Sequence, residues 1–566
     1  MKHPGATQLF ALFALGHVAV WTALPTALRH VTAMDATEAA AWGRRLILGY
    51  PRNPWLSAWL ARGALTLGGG RDGALYLLSQ LCVLLAMWCV FRLGTRLVGA
   101  WHALVAVVIL AGVQYFSIAA IDFNDNVLQL ALWPAAAWAF HVALATERVR
   151  AWLLTGLLCG LALMAKYSSA LLLLAMLAFL AADRTARASL ARRGFLACIA
   201  ALAAVAAPHL LWLARHDFIT VRYLFERIDS FSAPWWQEHA GYAAKFLLNQ
   251  LLTLAPAAIL LATLFARASD STLAPASSPS PFDRRLLGWL FMLPLAVTAT
   301  ISIVTGWNLR TMWGMPLASL ASLWLVCWFP VRLTARSMRR LVILASGAVL
   351  LVGGGYALAM TRPGAIRSAN LPLLEVARDV TRLWRERNHT PLAYVGGERL
   401  IASYVARYRR TSRPRSSTST RRAVRGSPKP RCARGAAFLQ FVNYHDGSAT
   451  FAAELRRRFP TLEIEPIRAY PWYRADRDQE PLQVLIGLLP PARHASAPRA
   501  LFDGVSLADG ARPSSPARAR CACATAPSCS AWAVISPAST TGAGRAATTR
   551  CRWRRCAATG MTSSAA

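Results

Sequence analysis

Apolar residues fill eleven stretches of the first 360 residues, and most charged residues of this region lie in the short segments between them. Most stretches have about 17 to 25 residues, the length an α-helix needs to cross about 30 Å of hydrocarbon. The pattern predicts an α-helical polytopic membrane protein with about 11 transmembrane helices in residues 1–361. The predicted spans are 8–27, 74–92, 103–121, 126–145, 151–165, 168–182, 195–214, 241–265, 286–305, 311–330 and 341–360.

The two shortest predicted spans are separated only by Lys166 and Tyr167, and counting them as two keeps the later loops on consistent sides of the membrane. Lys and Arg are densest in the loops that share a side with the N-terminus, which predicts a cytoplasmic N-terminus. Nine of the 13 acidic residues in 1–360 then lie on the other side. We therefore expect the chemistry on the periplasmic or extracellular face of a bacterial plasma (inner) membrane.

Residues 362–488 predict a small extracytoplasmic α/β domain. Within 369–410, two segments with helical periodicity flank the strand-like "LAYVGG", and 437–488 contains the strand candidates "AFLQFV" and "LQVLIGLL". An aberrant basic segment, 411–436, interrupts this domain, and a low-complexity tail, 489–566, follows it.

The two basic regions lack hydrophobic periodicity and begin abruptly beside well-patterned sequence. Their bias toward Arg, Ala, Ser and Pro is what a GC-rich gene yields when it is read out of frame, and we favour this interpretation. The alternative is a disordered basic linker and tail that touch acidic lipid headgroups.

Composition agrees with a membrane protein, since 55% of the residues are hydrophobic and only 16% are charged. The formal net charge is +36, but the two basic regions contribute +16 of it. The charge is therefore no argument for a nucleic-acid partner, and membrane lipids are the predicted surroundings. The sequence identifies no cofactor, and it leaves open whether a divalent metal takes part.

The first charged loop contains Asp35 and Glu38, which share a face if the loop is helical because Glu38 comes three positions after Asp35. The stretch "AAAWGRRLILGYPRNPWLSAWLARGAL" follows, and its mixture of Trp, Leu and Arg is typical of a helix in the membrane interface. Gly49, Pro51 and Pro54 are expected to divide it into two pieces. An outer-face carboxylate beside such a platform suits an enzyme whose substrate is a lipid with a charged head.

Four stretches resemble, in the expected order, one enzyme family. "MDATEAAAWGRRLILGYPRNPWLSAWL" is similar to the first external loop of the polyprenyl-phosphate-sugar-dependent glycosyltransferases of the GT-C type, family 39, which include protein mannosyltransferases and aminoarabinose transferases. "IDFNDNVLQLALWPAAAWAFHVAL" resembles their second external loop, "GLALMAKYSSALLLLAMLAFL" their Lys-Tyr segment and "FLLNQLLTLAPAAILL" a later span. The likeness covers about residues 8–360, with one departure: Asn53 and Trp55 stand where relatives often have the His and second Pro of a His-Pro-Pro.

The resemblance implies a transferase that moves a sugar from an isoprenoid-phosphate donor to a lipid, glycan or protein acceptor. An inverting transfer needs a base that takes the proton of the acceptor hydroxyl while the phosphate leaves from the opposite face of the sugar ring. Asp35 matches the loop Asp of the family and is the predicted base. The alternative is that Asp35 only caps the loop helix.

Glu38 is expected either to orient the acceptor or to pair with Arg44 or Arg45. Asp122 and Asp125 flank the start of the fourth span. They either begin that helix, where its dipole favours them, or contact the acceptor or a metal.

Lys166 needs a partner if it lies in hydrocarbon, and an isoprenoid phosphate is the expected one. The alternative is that its ammonium group extends to the interface. External arginines could bind a phosphate in bidentate fashion, or they are ordinary loop charge. These arginines are Arg52, Arg222 and Arg227.

The main alternative function is a polytopic transporter or flippase of a lipid-linked substrate. Many transporters contain inverted repeats and charges near the middle of the membrane. This chain has no evident internal repeat, and its acids cluster outside, so the pattern favours an enzyme. A third hypothesis is that the gene product is inactive because a frameshift has altered the sequence of its C-terminal domain.

Overall fold

The computed structural model describes residues 5–228, 233–265, 272–275, 278–362, 368–408, 435–443, 448–475 and 479–491. Most of these residues are helical. The α-helices are α1 (Ala6–Leu28), α2 (Met34–Trp42), α3 (Leu56–Leu67), α4 (Gly73–Val98), α5 (Ala100–Ala111), α6 (Asp125–Thr146), α7 (Val149–Ala165), α8 (Ala170–Ala182), α9 (Arg184–Arg187), α10 (Arg193–Arg215), α11 (Ile219–Ile228), α12 (Tyr242–Ala262), α13 (Pro281–Thr305), α14 (Ala321–Trp328), α15 (Ala335–Thr361), α16 (Leu373–Asn388), α17 (Arg399–Tyr408) and α18 (Ser448–Arg458).

Every predicted span corresponds to a helical segment, and the prediction of an α-helical polytopic membrane protein is confirmed. Seven helices of the described residues are long and apolar enough to cross a membrane: α1, α4, α6, α10, α13, α15 and the helix Gln237–Ala262, which contains α12. Two bent pairs, Ala100–Ala111 with Gln114–Ala120 (87°) and Tyr167–Ala182 with Arg184–Ala191 (98°), raise the number to nine. The remaining two predicted spans are the shorter apolar helices Val149–Ala165 and Leu317–Trp328.

Three of the long helices begin at a side chain that satisfies N–H groups which the helix itself leaves unpaired. Asn124 caps α6, and Thr334 caps α15. Ser280 caps α13 and is followed by Pro281 at the first helical position, where a missing N–H costs nothing. Local sequence therefore determines where these spans start.

The centre of the bundle is formed by α4, α5, α6 and α7, which pack on one another and bury most of their side chains. Peripheral helices look different. In α15, Leu350 and Leu351 are 75% and 77% exposed, although their neighbours are equally apolar. Exposed leucines on a long apolar helix are expected where lipid is the surrounding medium.

The C-terminal part forms a mixed sheet of five strands: β3 (Tyr394–Gly397), β4 (Ala436–Phe441), β5 (Glu463–Ile464), β6 (Arg468–Tyr470) and β7 (Leu482–Leu489). A separate small ladder joins β1 (Thr272–Ala274) to β2 (Leu333–Thr334). In the five-stranded sheet, β3 is parallel to β4, and β7 is antiparallel to β4, β5 and β6. The strand-like "LAYVGG", "AFLQFV" and "LQVLIGLL" thus lie in one sheet.

Two apolar cores hold this domain together. One contains Trp384 of α16, Val395 of β3 and Ile486 of β7. It also contains Val31, from the loop after α1, and Ala41 of α2. The other includes β4 and the residues that follow α18. The C-terminal domain therefore shares a core with the segment that carries Asp35.

The aberrant basic segment and the tail lie largely outside the described residues. One end of each is described, however: Ala436, at the end of the basic segment, is the first residue of β4, and Leu489, at the start of the tail, is the last residue of β7. At these two positions the chain belongs to the sheet, so the segment and the tail are shorter there than the sequence predicts.

Close packing of α7 on α10 depends on small residues. A methyl group added at Gly156 would lie 2.0 Å from the carbonyl oxygen of Cys198, which is too close for any real contact. By contrast, a methyl group at Gly288 in α13 would meet no atom within 4 Å.

We predict that Gly156→Ala destabilises the protein by about 1–3 kcal/mol because the two helices must move apart. Gly288→Ala is the control and is expected to be neutral or to stabilise by up to about 1 kcal/mol, since alanine favours a helix. Thermal unfolding of the purified proteins in detergent measures both. Equal melting temperatures for the two variants would contradict the proposed packing.

Candidate functional site

The loop after α1 folds into α2, which places Asp35 in its first turn and Glu38 one turn later. The residue before the helix is Ala33, and no side chain caps it. Asp35 therefore does not act as the N-cap, although its charge is favourable near the helix N-terminus. Its side chain is 52% exposed, whereas that of Glu38 is 6% exposed.

Arg399, the first residue of α17, joins the two acids of α2. Its Nε and Nη2 atoms donate to the carboxylate oxygens of Glu38 at 3.2 and 2.5 Å. Its Nη2 lies 3.6 Å from Oδ1 of Asp35. A second guanidinium, that of Arg52, lies 3.5 Å from Glu38 and stacks 4.8 Å from the ring centre of Tyr223. Two arginines thus balance the buried carboxylate of Glu38.

The expected pairing of Glu38 with Arg44 or Arg45 is wrong. Arg44 donates to the carbonyl of Arg407 at 3.1 Å, and Arg45 lies over the ring of Tyr394. Both arginines follow the end of α2 and turn toward the C-terminal domain, so Glu38 takes partners from elsewhere in the chain.

A second charged group lies where α6 begins and α7 ends. Asn124 accepts the N–H groups of Asn126 and Val127, so Asp125 is the first residue of α6. The charges of Lys166, Asp35 and Glu38 all act on Asp125. Asp125 therefore joins the acids of α2 at one end of the bundle.

Lys166 stands at the break between α7 and the helical turn before α8, in extended backbone. Its Nζ donates to Oδ1 of Asn126 at 2.7 Å and lies 5.5 Å from the ring centre of Trp313. An amide oxygen and an aromatic face both stabilise an ammonium group away from bulk water. The structure thus gives Lys166 protein partners at the end of a span.

Asp122 is bound by Arg29, which follows the end of α1. Nη1 of Arg29 donates to the two carboxylate oxygens at 2.7 and 2.8 Å. This ion pair ties the end of α1 to the segment before α6. Arg222 is exposed on α11, and the side chain of Arg227 lies outside the described residues.

Three residues near these charged groups were not predicted from the sequence: Arg399, Asn126 and Ser57. The side chain of Ser57 hydrogen-bonds to Asp125. Arg399 is 361 residues from Glu38, and its sequence surroundings, "GGERL", indicate only a strand that leads into a helix. No local signal connects it to the first loop.

Comparison with known proteins identifies the class of this protein. The family model of the dolichyl-phosphate-mannose-protein mannosyltransferases matches residues 52–212. The lipopolysaccharide core galacturonosyltransferase RgtB of Rhizobium johnstonii is 25% identical over 415 residues, which cover 70% of this chain and 80% of that protein. The chain is a glycosyltransferase, and it is similar to enzymes of the GT-C type.

Two further similarities agree with this assignment as a glycosyltransferase. The lipid A galacturonosyltransferase RgtD of the same organism is 29% identical over 197 residues, or 34% of this chain and 40% of RgtD. The crystal structure of ArnT from Cupriavidus metallidurans, bound to undecaprenyl phosphate, has a TM-score of 0.52 at 15% identity, covering 86% of this chain and 98% of ArnT. At this identity, the likeness to ArnT concerns the fold.

The family match includes Asp122, Asp125 and Lys166 of the glycosyltransferase, and it begins at Arg52. Asp35, Glu38 and Arg399 lie outside the matched range. Among the residues that the structure describes, no three His, Cys, Asp or Glu side chains form a cluster that could hold a metal ion.

Glu398, next to Arg399, is a titrating group in the C-terminal domain. Burial raises the pKa of Glu398 from its usual value of 4.5 to about 7, and the N–H of Phe441, which donates to it at 3.3 Å, opposes this shift. The folded protein therefore keeps the proton to higher pH than the unfolded chain does.

We predict a double-mutant coupling between Arg399 and Glu38. Arg399→Met and Glu38→Gln should each cost about 2–4 kcal/mol, since each leaves a buried group with fewer partners. The double variant should lose about 1–3 kcal/mol less than the sum of the two. Thermal unfolding measures the cycle, and the exposed Arg456→Met on α18 is the control. Strict additivity would show that the pair does not hold the domains together.

We also predict that stability falls as pH rises from 4.5 through about 7, because the unfolded chain releases the proton of Glu398 earlier. Glu398→Gln removes this loss. The variant should therefore melt higher than the wild type at about pH 8 and similarly at about pH 5. Glu386→Gln, at an exposed site on α16, is the control. A difference in melting temperature that does not change with pH would contradict the assignment.

Proposed function

We propose that this glycosyltransferase transfers a sugar, with inversion, from an isoprenoid-phosphate donor to an acceptor on the periplasmic face of the inner membrane. The observation that carries the proposal is the placement of Asp35. Its half-exposed carboxylate lies beside Glu38 and acts, with Lys166, on Asp125 at one end of the helical bundle. Acid and ammonium groups thus meet at a boundary that a lipid headgroup can reach.

Asp35 is the better candidate for the base. The carboxylate of Glu38 is bound by two guanidinium groups and is buried, so its oxygens are engaged in holding the structure. Asp35 is accessible to an acceptor hydroxyl. In the proposed step, Asp35 takes the hydroxyl proton, the acceptor oxygen bonds to the anomeric carbon, and the bond from that carbon to the phosphate breaks.

The donor phosphate requires a cation. ArnT, which shares the fold, is bound to undecaprenyl phosphate in its crystal structure. In this chain, we assign the corresponding role to Lys166, which Asn126 and Trp313 hold at the end of α7. Arg52, beside Glu38, is the second candidate because a guanidinium binds phosphate oxygens in pairs.

The distribution of basic loops supports the proposed orientation, in which Asp35 lies on the outer face of the membrane. Arg96, Arg148, Arg192 and Arg285 lie at the ends of spans opposite to Asp35, as cytoplasmic residues are expected to do. The names of RgtB and RgtD refer to lipopolysaccharide core and lipid A. Among the acceptors that the sequence leaves open, we therefore favour a lipopolysaccharide component over a protein.

The test is an assay of purified protein with labelled isoprenoid-phosphate sugars, in which release of isoprenoid phosphate is measured. We predict that Asp35→Asn lowers turnover by about 10²- to 10⁴-fold, as expected for loss of a general base. Glu480→Gln, at an exposed site in the C-terminal domain, should retain activity. Undiminished turnover by Asp35→Asn would remove Asp35 from the mechanism, and transport without release of isoprenoid phosphate would favour a flippase.

A further inference from the structure

A cavity of about 290 Å³ lies between the α2–α3 region and the C-terminal domain. Three arginines line it: Arg44 after α2, Arg62 on α3 and Arg407 on α17. The hydroxyl-bearing side chains of Thr66 and Tyr408 complete its polar wall. Its volume is near the lower limit for small-molecule sites, which start at about 300 Å³.

The cavity has an excess of positive charge. Among the described residues that line it, none is a carboxylate. The nearest acid in the contact network is Asp72, which binds both the guanidinium of Arg407 and the hydroxyl of Tyr408. This acid pairs with one of the three guanidinium groups, so the lining of the cavity keeps an excess of positive charge that an anionic ligand can balance.

Arg407 is held firmly in the cavity wall, because its side chain is only 6% exposed. Besides Asp72, its guanidinium donates to the hydroxyl of Thr32 at 3.2 Å. Its backbone carbonyl accepts the hydrogen bond from Arg44, which brings the second guanidinium to the same place. Burial and the neighbouring charge of Arg62 lower the pKa of Arg44. Like charges held this closely are stabilised by an oxyanion.

The cavity is separate from the acid cluster around Asp35. Arg399 and Arg407 lie eight residues apart on α17, which corresponds to about 12 Å along a helix. Arg399 binds Glu38, whereas Arg407 faces the cavity, so one helix carries both groups. A ligand in the cavity is therefore close to the candidate transfer site without occupying it.

We propose that this cavity binds a phosphate group, distinct from the phosphate of the sugar donor. Guanidinium groups from three segments of the chain can surround phosphate oxygens. The phosphate is carried by a lipid headgroup at the membrane surface or is free in solution. The proposal goes beyond the transfer reaction and holds whichever sugar is transferred.

The experiment uses the full-length protein in nanodiscs of phosphatidylcholine, with inorganic phosphate as the probe. Saturating phosphate should raise the melting temperature of the wild type by about 2 °C or more. Arg44→Gln/Arg62→Gln should lose most of this increase. Arg71→Gln, an exposed arginine of the same region that does not line the cavity, should retain it. Lys166→Gln should also retain it, because Lys166 belongs to the other site.

The source of the phosphate is identified by a second arm with phosphatidylglycerol in the nanodiscs. If a lipid headgroup fills the cavity, the wild type should need about 10-fold more free phosphate for the same response, and the double variant should bind less phosphatidylglycerol in native mass spectrometry. An unchanged response identifies free phosphate as the ligand. Both results support a phosphate site.

The proposal is overturned if the double variant responds to phosphate as the wild type does, or if Arg71→Gln loses the response equally. Should the double variant fail to fold, Arg62→Gln alone is the second variant, because Arg62 is exposed and its loss leaves the contact of Arg44 with Arg407 in place. If neither the wild type nor any of the variants transfers a sugar, that result counts against the proposed function. Phosphate binding would then remain as a separate result.

Discussion

The ion pair between Arg399 and Glu38 is the contact on which the arrangement of the two domains depends. A carboxylate taken out of water is costly unless it is paired, so the buried position of Glu38 requires that α17 dock beside α2. Arg407, two turns along the same helix, is bound to Asp72 in the same way. The C-terminal domain is therefore part of the end of the bundle that carries Asp35.

Helix termini explain why polar and charged side chains are concentrated at the end of the bundle that carries Asp35. A helix leaves N–H and C=O groups unpaired at its termini, and polar side chains accumulate there to satisfy them. Asn124 and Asp125 start α6, and Lys166 follows the last residue of α7. In a membrane protein these termini also meet water, so the residues that end the spans are the ones that a headgroup can contact.

The spans and three strands of the C-terminal sheet, β3, β4 and β7, could be predicted because their signals are local. The thickness of hydrocarbon sets the length of a span, and alternation or helical periodicity sets the type of each element. The bends after Ala111 and Ala182 could not be predicted, since hydropathy measures length and not direction. The site was predicted only in part, because Asp35, Glu38, Asp125 and Lys166 come together through contacts between distant helices.

Local sequence by itself determined which segments are helices long enough for a membrane and where acids stand relative to them. Tertiary structure decided the partners of those acids: Arg29 for Asp122, and Arg399 with Arg52 for Glu38. The physical reason is that hydropathy and helix capping act within a few turns of chain. An ion pair depends on which surfaces dock, and Arg399 reaches Glu38 across 361 residues only because one apolar core joins α2 and the loop before it to the C-terminal domain.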